Sequence, residues 1–142
     1  MGQITPYLLY EDVAAALDWL TSAFGFKETL RFTDANGRVS HAEMDTGGAV
    51  FMLGEPGSDY RSPRRTGHHN SFLHVLVDDV DAHFDRARKA GATVLDEPVD
   101  KEYGERSYRC EDLEGHRWDF ATTQREVEPE DWGATRAVNA RT

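Results

Sequence analysis

The chain has a single cysteine, Cys110, so it can form no intramolecular disulfide, which fits a reducing compartment. It has no apolar run near the roughly 18 residues that a membrane span needs. Its start, "MGQITPYLLY", lacks the basic segment followed by an apolar stretch that marks an export signal. These features lead to the expectation of a cytoplasmic protein with no membrane partner. Positive charge is also scarce: 16 basic against 26 acidic residues leave a net charge of −10. Proteins that neutralise phosphates show the opposite balance, so no nucleic-acid partner is expected. The acidic surface serves solubility and is compatible with a cationic small molecule. No serine-nucleophile motif and no phosphate-cradling glycine loop is present.

The chain does contain a repeat. "YLLYEDVAAALDWLTSA" (7–23) lies over "HVLVDDVDAHFDRARKA" (74–90) at an offset of 67, which matches Leu9 with Leu76, Asp12 with Asp79 and Ala15 with Ala82. The same offset pairs Gly37 with Gly104, Ser40 with Ser107, Asp45 with Asp112 and Gly48 with Gly115. A unit this long, present twice, indicates two copies of one compact module. In the first copy an apolar strand "TPYLLY" precedes a helix with Val13, Leu17, Leu20 and Phe24 at helical spacing and Gly25 as its C-terminal cap. Three strands follow, "FKETLRFT", "VSHAEMD" and "AVFMLG", separated by the turn sequences "DANG" and "TGG". The second copy repeats the order with "FLHVLV", a helix near 79–91, "TVLDEPV", "RSYRCED" and "HRWDFAT". Each module therefore reads β-α-β-β-β, over 3–54 and 70–123, within one domain of 142 residues and an α+β fold. Residues 55–69, rich in Gly, Pro, Ser and Arg, read as a solvated linker. The polar tail, 124–142, carries a lone Trp132 that either docks or stays free.

Two such modules, with the passages "LLYEDVAAALDWLTSAFGF" and "HVLVDDVDAHFDRARKAGA" and the ending "EDLEGHRWDFA", resemble the vicinal-oxygen-chelate superfamily. That group holds glyoxalases, dioxygenases and the fosfomycin and bleomycin resistance proteins. The resemblance, over about residues 3–123, implies a cupped eight-stranded mixed sheet with helices on its outer face. It also implies a homodimer whose pocket walls come from both chains. Metal-dependent members place ligands near the start of each module's first strand and in its last strand; here those positions hold Thr5, Phe72, Met52 and Asp119. Only Asp119 is a useful donor, so no metal and no cofactor is expected.

Strand alternation puts His74 on the same side as Phe72, where it lines the cup; a bulge would be needed to bring it into the ligand position beside Asp119. His68 and His69 fall in the linker. His41 and Glu43 share a strand face and offer an acid/base pair. Cys110 reads as an inert core thiol, and Trp118, facing away from Asp119, as a packing residue against a helix. An apolar and aromatic cup formed by Thr5, Tyr7, Met52, Phe72, His74 and Asp119 resembles the drug-sequestering members. The expected function is metal-independent binding of a small cationic or aromatic compound. The alternative is an enzyme of the same superfamily: a metal-dependent lyase or dioxygenase with a shifted site, or a metal-free isomerase.

Overall fold

Two aspartates one repeat apart start the two long helices. Asp12 and Asp79 each hold an extended backbone, and their side chains accept the N–H groups of Ala15 and Ala82. This satisfies donors that an open helix end leaves unpaired. The computed structural model describes residues 2–138. The first module runs β1 (Tyr7–Leu9), α1 (Val13–Phe24), β2 (Lys27–Thr33), β3 (Val39–Asp45) and β4 (Val50–Gly54). A one-turn helix, α2 (Pro63–Thr66), interrupts the connection. The second module runs β5 (Phe72–Leu76), α3 (Val80–Lys89), β6 (Thr93–Asp100), β7 (Glu105–Glu111) and β8 (Arg117–Thr123). A 3-10 turn, Pro129–Trp132, follows. Among the described residues no helix is long and apolar enough to cross a membrane.

The eight strands form two mixed sheets of the same topology, β1-β4-β3-β2 and β5-β8-β7-β6. Within each, the first and last strands are parallel and the others antiparallel. No strand of one sheet pairs with a strand of the other among the described residues, so the sheets are not closed into one. One face of each sheet is buried: Ala42, Met44, Phe51 and Leu53 in the first, Tyr108, Cys110, Trp118 and Phe120 in the second. These faces, with α1 and α3, build a single core. Trp118 lies 5.4 Å from Phe51 and from Phe26, and 5.5 Å from Phe24, so the second module's tryptophan packs into the first module's aromatics. The helices join across the same seam. Arg86 of α3 donates to the carbonyls of Thr21 and Ser22 at the C-terminal end of α1, where a cation meets the negative end of the helix dipole. The opposite sheet faces remain open and look away from this shared core.

The 67-residue register needs one correction. The β3–β4 turn spans residues 46–49, whereas the β7–β8 turn spans 112–116, one residue longer. Tyr7 pairs with Met52 and His74 with Asp119 at the full offset, yet Glu43 corresponds in the ladder to Arg109 rather than to Cys110. Asp45 is thus a strand residue and Asp112 a turn residue. The composition of 55–69 was also misleading, because this segment packs against both modules. Ser62 is buried and donates its N–H to Glu11, Arg65 reaches the same carboxylate at 2.7 Å, and Arg64 donates to the Asp112 carbonyl. Those partners hold the Glu11 carboxyl down at about 2, with the Ser62 N–H as the main cause. In the tail, Trp132 docks against Tyr103, ring centres 5.7 Å apart.

Candidate functional site

Strand alternation divides the candidate residues between the two open faces. On the first sheet, Tyr7 lies beside Met52, Met52 beside Glu43, Glu43 beside Leu30, and His41 beside Phe32. Tyr7 crosses flat over Gly54, where an added Cβ would stand only 2.6 Å from the ring. That close approach directs the phenol to His41: Tyr7 Oη lies 2.9 Å from Nδ1, and Glu43 Oε2 lies 3.4 Å from Nε2. With the proton on Nε2, the imidazole donates to Glu43 and accepts from Tyr7, forming a Tyr7–His41–Glu43 chain capable of relaying a proton. Thr5 is exposed and stands just before β1, outside the paired strand.

On the second sheet, His74 and Asp119 are neighbours in an unbroken ladder, and no bulge is needed to bring them together. His74 Nδ1 donates to Asp119 at 2.6 Å, and Nε2 lies 3.3 Å from Glu105. Phe72, one alternation away, faces the same side at the β5 start. Tyr103 closes a small recess of about 60 Å3 beside Asp119; burial pushes its phenol up, and the carboxylates of Asp119 and Glu105 add to that. The connector histidines divide: His68 is exposed, and His69 lies 3.5 Å from Glu111. The core residues follow expectation. Cys110 is fully buried and its thiol is pushed far up, mainly by burial; Trp118 packs inward against Phe24 at the end of α1.

Arg109, Glu105 and Tyr103 were not singled out from the sequence. Alternation from the core thiol of Cys110 already turns Arg109 outward, but its place beside Asp119 depends on the one-residue slip. The six expected ligand-binding residues also do not meet within one chain: Tyr7 and Met52 belong to one sheet, Phe72, His74 and Asp119 to the other. Between the sheets, at the β3–β4 turn and β5, lies a crevice of about 440 Å3 lined mostly by apolar groups, with His74 at its edge.

The model of the glyoxalase/bleomycin resistance protein/dioxygenase superfamily matches residues 2–120. The chain belongs to that superfamily. It is similar to TioX from Micromonospora sp. ML1, with 39% identity, a TM-score of 0.71, and coverage of 87% of this chain and 99% of that one. It is 33% identical to the uncharacterized protein Mb0911c of Mycobacterium bovis over 129 residues, 87% of this chain and 85% of the relative. The fosfomycin resistance protein FosX from Mesorhizobium loti shares the fold, with a TM-score of 0.62, 15% identity, and coverage of 85% of this chain and 91% of that one.

The divalent ion of metal-dependent superfamily members does not fit the residues present. Thr5, Met52 and Phe72 offer a hydroxyl, a thioether and a phenyl ring beside the one carboxylate of Asp119. His74 sits between Asp119 and Glu105 with a ring nitrogen toward each, so the three groups do not converge on a point. Among the described residues no cluster of three or more His, Cys, Asp or Glu side chains is placed to hold an ion.

Proposed function

We propose that this protein binds a small aromatic compound bearing cationic or hydrogen-bond-donating groups without a metal, and acts by sequestering it. The observation that carries the reading is the surplus of apolar side chains on the open faces. Tyr7 is 50% exposed and Phe32 58% on the first sheet; Phe72 is 47% exposed and Leu76 61% on the second. Sparse polar groups, Asp119, His74 and Glu43, stand among them, the usual composition of a ligand pocket. Because the candidate residues are divided between two unjoined sheets of one chain, a second copy would supply the missing wall. A homodimer would bring the first sheet of one chain toward the second sheet of its partner and cover much of the apolar surface. The superfamily includes both resistance proteins and enzymes, so membership alone does not choose between binding and catalysis.

Calorimetry against a panel of aromatic cations, with Phe72→Ala and Asp119→Asn tested separately, is expected to show weaker binding in both variants. The wild-type ligand should be recovered unchanged, and elemental analysis should find no stoichiometric divalent ion. Light scattering should return about twice 16.0 kDa. A mass of one chain across micromolar concentrations would overturn the shared pocket. A ligand recovered chemically altered would overturn sequestration. A metal-free isomerase is the second reading, favoured by the Tyr7–His41–Glu43 chain. It requires Glu43→Gln to abolish exchange of a carbon-bound proton in the bound compound while binding persists.

A further inference from the structure

The sequence "HHNSF" and two strand arginines meet at the start of β5. His69, Asn70, Ser71, Phe72, Arg109 and Arg117 line a surface pocket of about 410 Å3 that contains no carboxylate of its own. The cations differ in how they are satisfied. Arg117 Nε donates to Glu111 at 3.1 Å, and His69 lies 3.5 Å from the same carboxylate. The Arg109 side chain makes no hydrogen bond or ion pair among the described residues, and its Nε is a buried polar atom without a partner. Its ladder neighbours include Asp96 and Asp119, yet the side chain leans over β8 to place its guanidinium carbon 4.1 Å from the centre of the Phe72 ring. Asp119 is engaged by His74. A stacked guanidinium keeps its N–H fork free in the ring plane, and that fork matches an oxyanion in two parallel hydrogen bonds. A half-buried charge with an orphaned donor calls for a partner, and among the described residues neither Asp96 nor Asp119 hydrogen-bonds to this one.

We infer that Arg109, carried on Phe72 and supported by Arg117, is an oxyanion subsite of the ligand cup. It takes a carboxylate or phosphate attached to a planar ring. This rests on the ligand-binding reading above and makes the ligand amphoteric: the anion lies at Arg109, and the donor or cation at the Asp119 carboxylate one strand away. The net charge of −10 does not oppose this, because distant surface charges are screened while the fork acts at contact range.

The test compares four probes on the full-length protein: 1-naphthoate, 1-naphthyl phosphate, neutral 1-naphthamide and 1-naphthylmethylamine. Dissociation constants come from calorimetry, and the Arg109 Nε–Hε resonance is followed by NMR. The oxyanions are expected to bind at least tenfold tighter than the amide and to shift that resonance. Arg109→Gln should remove the preference while the amide binds as before, and Arg117→Gln should reduce it by a smaller factor. If the phosphate exceeds the carboxylate, a phosphate ester is indicated as the natural group; the reverse order indicates a carboxylic acid. Equal binding of oxyanions and amide, or an Arg109 resonance that none of them moves, overturns the subsite and leaves the cup standing. Failure of all four to bind at millimolar concentration overturns both.

Discussion

His83 links acidity to the integrity of the seam between the modules. It projects from α3 into the core, its ring centre 4.1 Å from Phe120, with Nε2 donating to the Phe24 carbonyl at 3.2 Å and Nδ1 accepting from Tyr108 Oη at 2.6 Å. This arrangement satisfies a neutral ring. Burial, aided by the nearby Arg86 cation, lowers its titration from the ordinary 6.5 to about 4. The folded state therefore binds the proton more weakly than the unfolded chain does. The stability associated with neutral His83 is complete above pH 6.5 and is lost progressively as pH falls toward 4. A tenfold change in acidity is worth about 1.4 kcal/mol, so the full separation corresponds to about 3 kcal/mol, reduced to about 2 kcal/mol because the ring is partly exposed. Carboxylates also titrate in this window, so the informative quantity is a difference. Urea unfolding of wild type and His83→Gln, followed by tryptophan fluorescence at one protein concentration, gives two stabilities at each pH. The wild-type advantage should shrink by about 2 kcal/mol between pH 7 and pH 4. A constant advantage across that range would refute the reasoning, since it would mean that the folded protein accepts the proton without penalty.

Other outcomes follow from the same geometry. Asp112 is buried and accepts from Tyr10 Oη, Trp118 Nε1 and the N–H groups of Glu114 and His116, so Asp112→Ala should cost about 3–5 kcal/mol in urea unfolding. Gly54→Ala should displace Tyr7 with only about 1 kcal/mol lost, and the His41 ring resonances should report the departure of the phenol. Cys110 should resist a disulfide reagent in the folded protein and react on unfolding, because it is buried and its thiol is held protonated.

The repeat and the periodicities carry most of the fold. Alternation correctly put His41 and Glu43 opposite Ala42 and Met44, and the repeat paired Asp12 with Asp79, which the structure shows to be the two helix N-caps. What escaped depends on contacts between distant segments. One extra turn residue at 112–116 is invisible in composition, yet it shifts the β7 register by one and sets Arg109, rather than Cys110, beside Asp119. The 55–69 segment is polar because its polar groups are used: Ser62 meets Glu11 and Arg64 meets the Asp112 carbonyl, partners about 50 positions away. Tyr7, Met52, Phe72, His74 and Asp119 all have the expected facing. Their division between two unjoined sheets is a property of how the modules pack, which strand alternation does not encode.

Phe51 and Trp118 occupy equivalent positions in the two modules and touch, so their contact lies on the axis that relates one half of the molecule to the other. If the halves were separate identical subunits, the same side chain would stand on both sides of that axis and any change there would be made twice. Two phenylalanines would leave a void, and two tryptophans would overfill the space. A single chain is free of that constraint. Joining the copies allowed the central contact to become unequal, and each half can then diverge on its outer surface while the packing at the axis fixes how the halves meet.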